Sequence, residues 1–261
     1  MRNILLYFVV KYEGDWKNIY QAIKSKERVN MEEVERVVEG IEDKCITILD
    51  ANYPCSLKNI SCPPFAIFYR GNHELLNDKR LMVAVIGSRD HSDYGEKMTN
   101  KLVKELVEKE VIIISGLARG IDAIAHTACL EHGGKTIAIL GSGIDVCYPK
   151  SNKELYDDIL KNEGLIISEY PSRINPKKDN FPLRNRLIAA FSNGILVVEA
   201  KIRSGTMITV NKALEIGKDI FCVPERASEE SGCNKLIKSG AKLTENVQDI
   251  LEEFTYQLNF K

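Results

Sequence analysis

From position 81 onward the chain alternates short, nearly continuous runs of Val, Ile and Leu with longer segments whose apolar residues recur every three or four positions. The runs at 82–86, 111–114, 136–140, 165–167, 195–198 and 219–223 read as strands covered on both faces, since a strand wetted on one side would alternate polar with apolar residues. Between them, 94–109, 121–132, 152–162, 184–191 and 206–217 carry helical spacing, as in Leu102 with Leu106 and Ala213 with Ile216. A last helical pair, 233–238 and 247–254, closes the series. Strand and helix in turn predict an α/β fold: an extended Rossmann-like, doubly wound, mainly parallel sheet.

Residues 1–80 lack this alternation. The run near 4–10 reads as a buried strand or helix segment, and 15–23 and 31–39 look helical, the second after Asn30 as N-cap with Glu33 three residues on. The stretch 53–71, with Pro54, Pro63 and Pro64, reads as extended and turn-rich. The expected division is a small helical N-terminal region at 1–45, a linking segment at 46–80 and a Rossmann-like domain at 81–261.

Composition narrows the function classes. Of 261 residues, 44 % are hydrophobic and 28 % charged, which excludes wholesale disorder. Lys and Arg total 36 against 37 Asp and Glu, a net charge of -1, so any polyanion site must be a local patch. Seven scattered cysteines with no C-x-x-C predict reduced thiols and a cytoplasmic chain. Four histidines, none in H-E-x-x-H, argue against a zinc site, and the longest apolar run falls well short of the roughly 18 residues of a membrane span.

In an open parallel sheet the loops leaving the strand C-termini converge on one edge. Here they read Gly87-Ser88-Arg89, then Ser115-Gly116-Leu117-Ala118-Arg119-Gly120, then Gly141-Ser142-Gly143, and later Ser204-Gly205-Thr206. Each alone is an ordinary tight turn. Together they predict an anion site, because small residues let a phosphate reach backbone N–H groups, helix N-termini add a favourable dipole and arginines add forked donors. Arg89 is expected at the sheet centre, where strand order reverses. The first loop fails G-x-G-x-x-G, its next glycine being Gly95, and no P-loop occurs, so dinucleotide binding and NTP hydrolysis lack support.

The stretch 173–186 carries Arg173, Lys177, Lys178, Arg184 and Arg186 against the single acid Asp179, with Phe181 and Asn185 among them. Cations along a backbone track with a ring for stacking suit single-stranded nucleic acid. Tyr148-Pro149-Lys150 reads as a rigid turn presenting Lys150. Asp122 and His126, four apart on one helix, have the spacing of a base and its orienter, although packing is the commoner role of such a pair. Glu199 stands at a strand end as an acid or as an organiser of its loop through Lys201 and Arg203.

Read in order, these loops resemble the DNA-processing protein A (DprA/Smf) family. The resemblance runs through Gly87-Ser88-Arg89 with Tyr94-Gly95, the 115–122 run with Ala125-His126, Gly133-Gly134-Lys135-Thr136, and 141–145 with Tyr148-Pro149. It continues in Ser168-Glu169, the 181–186 run, Val197-Val198-Glu199-Ala200, Ser204-Gly205 and Val223-Pro224, and upstream in Tyr53-Pro54, Pro63-Pro64 and Tyr69-Arg70-Gly71. It implies a protein that binds and protects single-stranded DNA in natural transformation without hydrolysing it, dimerises through the Rossmann domain and helps load the RecA recombinase, with neither cofactor nor catalytic residue. On that resemblance Arg89, Arg119, Lys150 and Arg184-Asn185-Arg186 line the DNA groove. The residues themselves add Gly87 and Ser88, Ser115, Gly116 and Gly120, Lys178 and Phe181, and Ser204, Gly205 and Thr206. The sequence departs from the family in Glu225-Arg226 after Pro224, in an abbreviated sterile-alpha-motif-like N-terminal region, and in having no room for a winged-helix domain.

An enzyme is the alternative. Lysine-decarboxylase-like phosphoribohydrolases, which cleave nucleoside monophosphates, place a P-G-G-x-G-T-x-x-E run on this sheet edge. Residues 199–206 keep Gly205-Thr206 but lack the paired glycines, and Glu215 lies too far on. A non-catalytic small-nucleotide sensor is a third possibility on the same fold.

Overall fold

The computed structural model describes residues 1–227 and 230–259 and opens with three helices, α1 (Arg2–Lys11), α2 (Trp16–Lys24) and α3 (Met31–Glu39). They are followed by β1 (Lys44–Thr47), α4 (Cys55–Lys58) and β2 (Ala66–Gly71). The alternating unit runs β3 (Met82–Ile86), α5 (Asp93–Val107), β4 (Ile112–Ser115), α6 (Ile121–Glu131), β5 (Thr136–Leu140), α7 (Lys153–Lys161) and β6 (Leu165–Ser168). It continues with α8 (Asn180–Phe191), β7 (Gly194–Val197), α9 (Gly205–Glu215), β8 (Asp219–Cys222), α10 (Gly232–Lys238), β9 (Lys242–Leu243) and α11 (Gln248–Asn259).

Among the described residues one sheet has the order β1-β2-β6-β5-β4-β3-β7-β8-β9, parallel from β6 to β9. Ala84 at its centre pairs with Ile114 on one side and Ile195 on the other. Because successive strand residues face opposite ways, Val83, Val85 and Ile113 pack on Leu102, Leu106 and Ala125 of α5 and α6. Ala84, Ile86 and Ile114 pack on Ile188, Val210 and Leu236 of α8, α9 and α10. This two-sided burial is why the strands read as unbroken apolar runs, each buried Val, Ile or Leu being worth on the order of 1.5–3 kcal/mol.

The predicted strands and helices of the alternating unit appear, and α1 resolves the open reading of the first apolar run as a helix. Leu5 to Val9 are all buried, and they share a cluster with Phe68, Leu140 and Ile166 on the sheet and Ile159 of α7. Asn30 caps α3 through Glu32 N at 2.9 Å, one residue before the expected position. The stretch 46–80, expected as a connection, instead contributes β2, which pairs antiparallel with β6 and with β1. Its short apolar run, Ala66 to Phe68, follows two prolines that dominate a local reading, and only pairing with β6 makes it a strand.

Candidate nucleic-acid interface

The chain runs outward from β3 to β6 and then crosses back to β7, so the loops after β3 and β7 part to opposite faces of the sheet. A cleft of about 630 Å³ opens between them.

Its base is a knot of backbone contacts. Ser88 N donates to Glu199 O at 2.8 Å, and Ile121 N donates to Ser88 O at 3.1 Å. Gly87 fits because a Cβ there would lie 2.6 Å from Ile121 Cγ1, and Gly120, at φ 76°, because a Cβ would overlap the Ser88 carbonyl oxygen. A Cβ on Gly116 would lie 2.7 Å from Nη2 of Arg184. These three glycines therefore serve close packing within the protein rather than leaving room for a phosphate. Gly205 differs, since nothing lies within 4 Å of a Cβ built on it. It begins α9, whose N-cap Ser204 makes no side-chain capping bond and whose first turn holds no acid. Thr206 Oγ1 donates to Gly87 O at 3.0 Å, and the helix N-terminus lines the cleft, bringing its first-turn N–H groups and positive dipole end there.

One wall carries rings and cations. Phe181 sits over Gly141, where a Cβ would lie 2.9 Å from its Cδ1. Tyr148, 46 % exposed, places its ring centroid 5.4 Å from that of Phe181, and Arg89 holds its guanidinium carbon 6.0 Å from the Phe181 centroid. Arg89, Lys178 and Lys201 line the cleft, are exposed, and make no ion pair among the described residues.

The neighbouring arginines are committed elsewhere. Arg184 reaches the cleft floor but is only 4 % exposed, its Nη1 donating to Gly116 O at 2.8 Å and to Ile139 O and its Nε to Asn185 Oδ1 at 3.1 Å. Burial pushes it down to about 10, with Asp122 opposing the shift, so it stays charged at neutral pH. Arg186 does not reach the cleft: it forks onto the buried Glu169 carboxylate at 2.8 and 2.6 Å and donates to Cys62 O and Leu183 O. Lys177 pairs with Glu13 at 2.7 Å, and Arg173 lies 4.0 Å from Glu42.

Of the expected groove residues, Gly87, Ser88, Arg89, Lys178, Phe181, Arg184, Asn185, Ser204, Gly205 and Thr206 meet in the cleft. Ser115 is buried, its hydroxyl donating to Val85 O at 2.7 Å, and neither the buried Gly116 nor the half-buried Gly120 lines the cleft. Arg119 and Lys150 are exposed outside it, on segments joined by Asn152 Nδ2, which donates to Leu117 O and Ala118 O at 3.0 and 3.2 Å. Tyr148 and Lys201 are among the lining residues that the sequence did not place in the groove, as is the acid Asp90. Tyr148 was legible only as the first residue of a turn, and Lys201 only as a loop partner for Glu199.

The acid–base candidates have structural duties. Asp122 accepts from Gly116 N at 3.1 Å and makes no bond to His126; burial raises its pKa against the pull of Arg184. His126 is fully buried with Nδ1 2.7 Å from Thr136 Oγ1. That hydroxyl gives its own proton to Ile113 O at 2.8 Å, so His126 Nδ1 is the donor, and burial pushes the imidazole down to about 3, with Arg184 adding to the shift. Glu199 accepts from Ser92 N at 3.0 Å and Ser92 Oγ at 2.6 Å at the start of α5. It borders a second cleft of about 780 Å³ that shares Ser88 and Lys201 with the first. Among the described residues no group of three or more His, Cys, Asp or Glu is placed to hold a metal, and no helix is long and apolar enough to cross a membrane.

A family model described as DNA recombination-mediator protein A matches residues 44–255. DNA processing protein DprA of Streptococcus pneumoniae is 47 % identical over 212 residues, covering 80 % of this chain and 74 % of that protein. The X-ray structure of DprA from Streptococcus pneumoniae superposes with a TM-score of 0.79 at 39 % identity, over 96 % of this chain and 93 % of that one. DNA processing protein A from Helicobacter pylori, solved to describe its single-stranded DNA binding mode, gives a TM-score of 0.73 at 30 % identity, over 83 % of this chain and 98 % of that one.

Proposed function

The chain belongs to the DNA recombination-mediator protein A family, and from that premise we propose that the cleft between the β3 and β7 loops binds single-stranded DNA for DNA processing. The observation that carries the reading is the convergence of three cations without ion-pair partners among the described residues, Arg89, Lys178 and Lys201, with the Phe181–Tyr148 rings and the start of α9, which has no side-chain cap. Phosphates sit on the α9 N–H groups and the cations, and bases stack on the ring wall. Phosphate contacts fix position without reading sequence, and every base has a π-face, so sequence preference is weak. Loading of RecA, dimerisation through the Rossmann domain, protection of incoming strands in natural transformation and a cytoplasmic site of action extend the proposal and rest on the family resemblance.

No covalent step is assigned. Asp122, His126 and Glu199 each hold the fold, and the Glu199 carboxylate, which the phosphoribohydrolase alternative needs, accepts from Ser92. The test titrates a labelled oligothymidylate and a duplex of equal length, beside a nucleoside-monophosphate hydrolysis assay. Tighter binding of the single strand and no released base are expected. Equal or tighter duplex binding would sink the binding mode, and base release abolished by Glu199→Gln would establish the enzyme.

A further inference from the structure

Outside the cleft, α2 carries a second set of stacked rings. Trp16 lies 5.1 Å from Tyr20 at an interplanar angle of 10° and 5.5 Å from Phe65 at 21°, and its Nε1 donates to Pro63 O at 2.8 Å. Tyr20 ends the stack and is 42 % exposed, with Ile23, equally exposed, on the next turn of the same stripe. Segment 16–28 also contains Lys17, Lys24, Lys26 and Arg28, all exposed and none ion-paired among the described residues. Its one acid, Glu27, is taken by Lys11 Nζ at 2.7 Å and Tyr12 Oη at 2.5 Å. Of the acids just before the helix, Glu13 is paired with Lys177, and Asp15 accepts from Asn18 N at 2.8 Å.

This surface adjoins the cleft. Lys177, which holds Glu13, stands between the cleft-lining Pro176 and Lys178. Gly14 packs closely on the end of β6, where a Cβ would lie 2.8 Å from Tyr170 Cδ1 and 2.9 Å from Glu169 O.

We propose that α2 and the turn after it are a second seat for single-stranded DNA, taking the strand as it leaves the sheet-edge cleft, a step that rests on the function proposed above. A flat ring stack with an open outer ring, rimmed by unneutralised cations, matches a base over its phosphates. A protein partner suits the face poorly, because lysines are depleted from protein–protein contacts, whereas a polyanion neutralises them.

Trp16 is the chain's one tryptophan, so its emission reports on this seat alone. Labelled oligothymidylates of about 6 and about 25 nucleotides are titrated into the full chain, reading both oligonucleotide anisotropy and tryptophan emission. The short oligomer is expected to bind with emission unchanged and the long one to change it, because a base stacked on Tyr20 alters the surroundings of the Trp16 ring beneath. Lys17→Glu with Lys24→Glu, which leaves the rings in place, and separately Tyr20→Ala, should weaken long-oligomer binding about tenfold and spare the short one. Unchanged long-oligomer affinity in the charge-reversed variant and in Tyr20→Ala overturns the second seat and leaves the cleft standing. Failure of both oligomers to bind overturns both.

Discussion

Arg89 is exposed, unpaired among the described residues, and directed over the Phe181 ring at the point where strand order reverses. Charged hydrogen bonds to a phosphate are worth roughly 1.5–3 kcal/mol, so Arg89→Ala should lower single-stranded DNA affinity about tenfold or more. Lys150→Ala should cost less, because Lys150 lies outside the cleft and its ammonium is a point charge on a flexible stem. Anisotropy at one fixed salt concentration, with circular dichroism to confirm folding, measures both, and wild-type affinity in Arg89→Ala would remove the first loop from the groove. His126 makes a prediction about stability. Its folded pKa of about 3 lies below the ordinary 6.5, so below about pH 6.5 the unfolded chain takes up a proton that the fold refuses. Stability should fall as pH drops through that window, by up to about 1.4 kcal/mol per pH unit from this residue. Urea unfolding of wild type and His126→Asn at pH 7 and 5 checks it: the variant should lose less on acidification, and equal losses would refute the assignment.

At the scale of elements, the loops behave according to what their glycines touch. Gly120→Ala should destabilise by about 2 kcal/mol or more, combining a backbone conformation reserved for glycine with overlap on the Ser88 carbonyl, and should weaken DNA binding by disturbing the first loop. Gly205→Ala should leave the melting temperature within a few degrees of wild type, since open space surrounds the added carbon. Thermal melts of the two variants decide, and equal losses would mean that the α9 N-terminus is not open. Arg186 ties α8 to the end of β6 and to Cys62. Arg186→Ala strands a buried Glu169 carboxylate and should cost about 3–5 kcal/mol in urea unfolding. A cost below about 1 kcal/mol would free Arg186 for the groove instead.

For the whole molecule, a net charge of -1 conceals a division of labour: many cations are spent in internal pairs, and those left unpaired at the cleft face the proposed strand. Single-stranded DNA affinity should therefore fall linearly on a double-logarithmic plot against salt, with a slope of about -0.7 per phosphate contact. With Arg89, Lys178 and Lys201 engaged, a slope near -2 is expected from titrations at several salt concentrations, and a slope near zero would exclude phosphate neutralisation.

The strands from 82 to 222 were legible because burial on both faces leaves each run apolar but for an end residue such as Thr136 or Asp219, and parallel connectivity then sends every following loop to one edge. The place of the cleft, and of Arg89, Phe181 and Ser204-Gly205-Thr206 within it, thus lay in the sequence. What the sequence could not assign was the partner of each charge. Arg184 and Arg186 look alike along the chain, but the acceptors that separate them, Gly116 and Ile139 for the first and Glu169 and Cys62 for the second, are 17 to 124 residues distant. Lys177 and Lys178 are adjacent, yet among the described residues only Lys177 meets an acid, Glu13 just after α1, 164 residues away. The pairing of Tyr148 with Phe181, the strand made from Ala66 to Gly71 after two prolines, and the contacts of Gly87, Gly116 and Gly120 likewise depend on residues distant in sequence. Hydrophobic periodicity is a local consequence of burial, whereas the neutralisation of a charge and the filling of a glycine's vacant Cβ position are settled only where two distant segments meet.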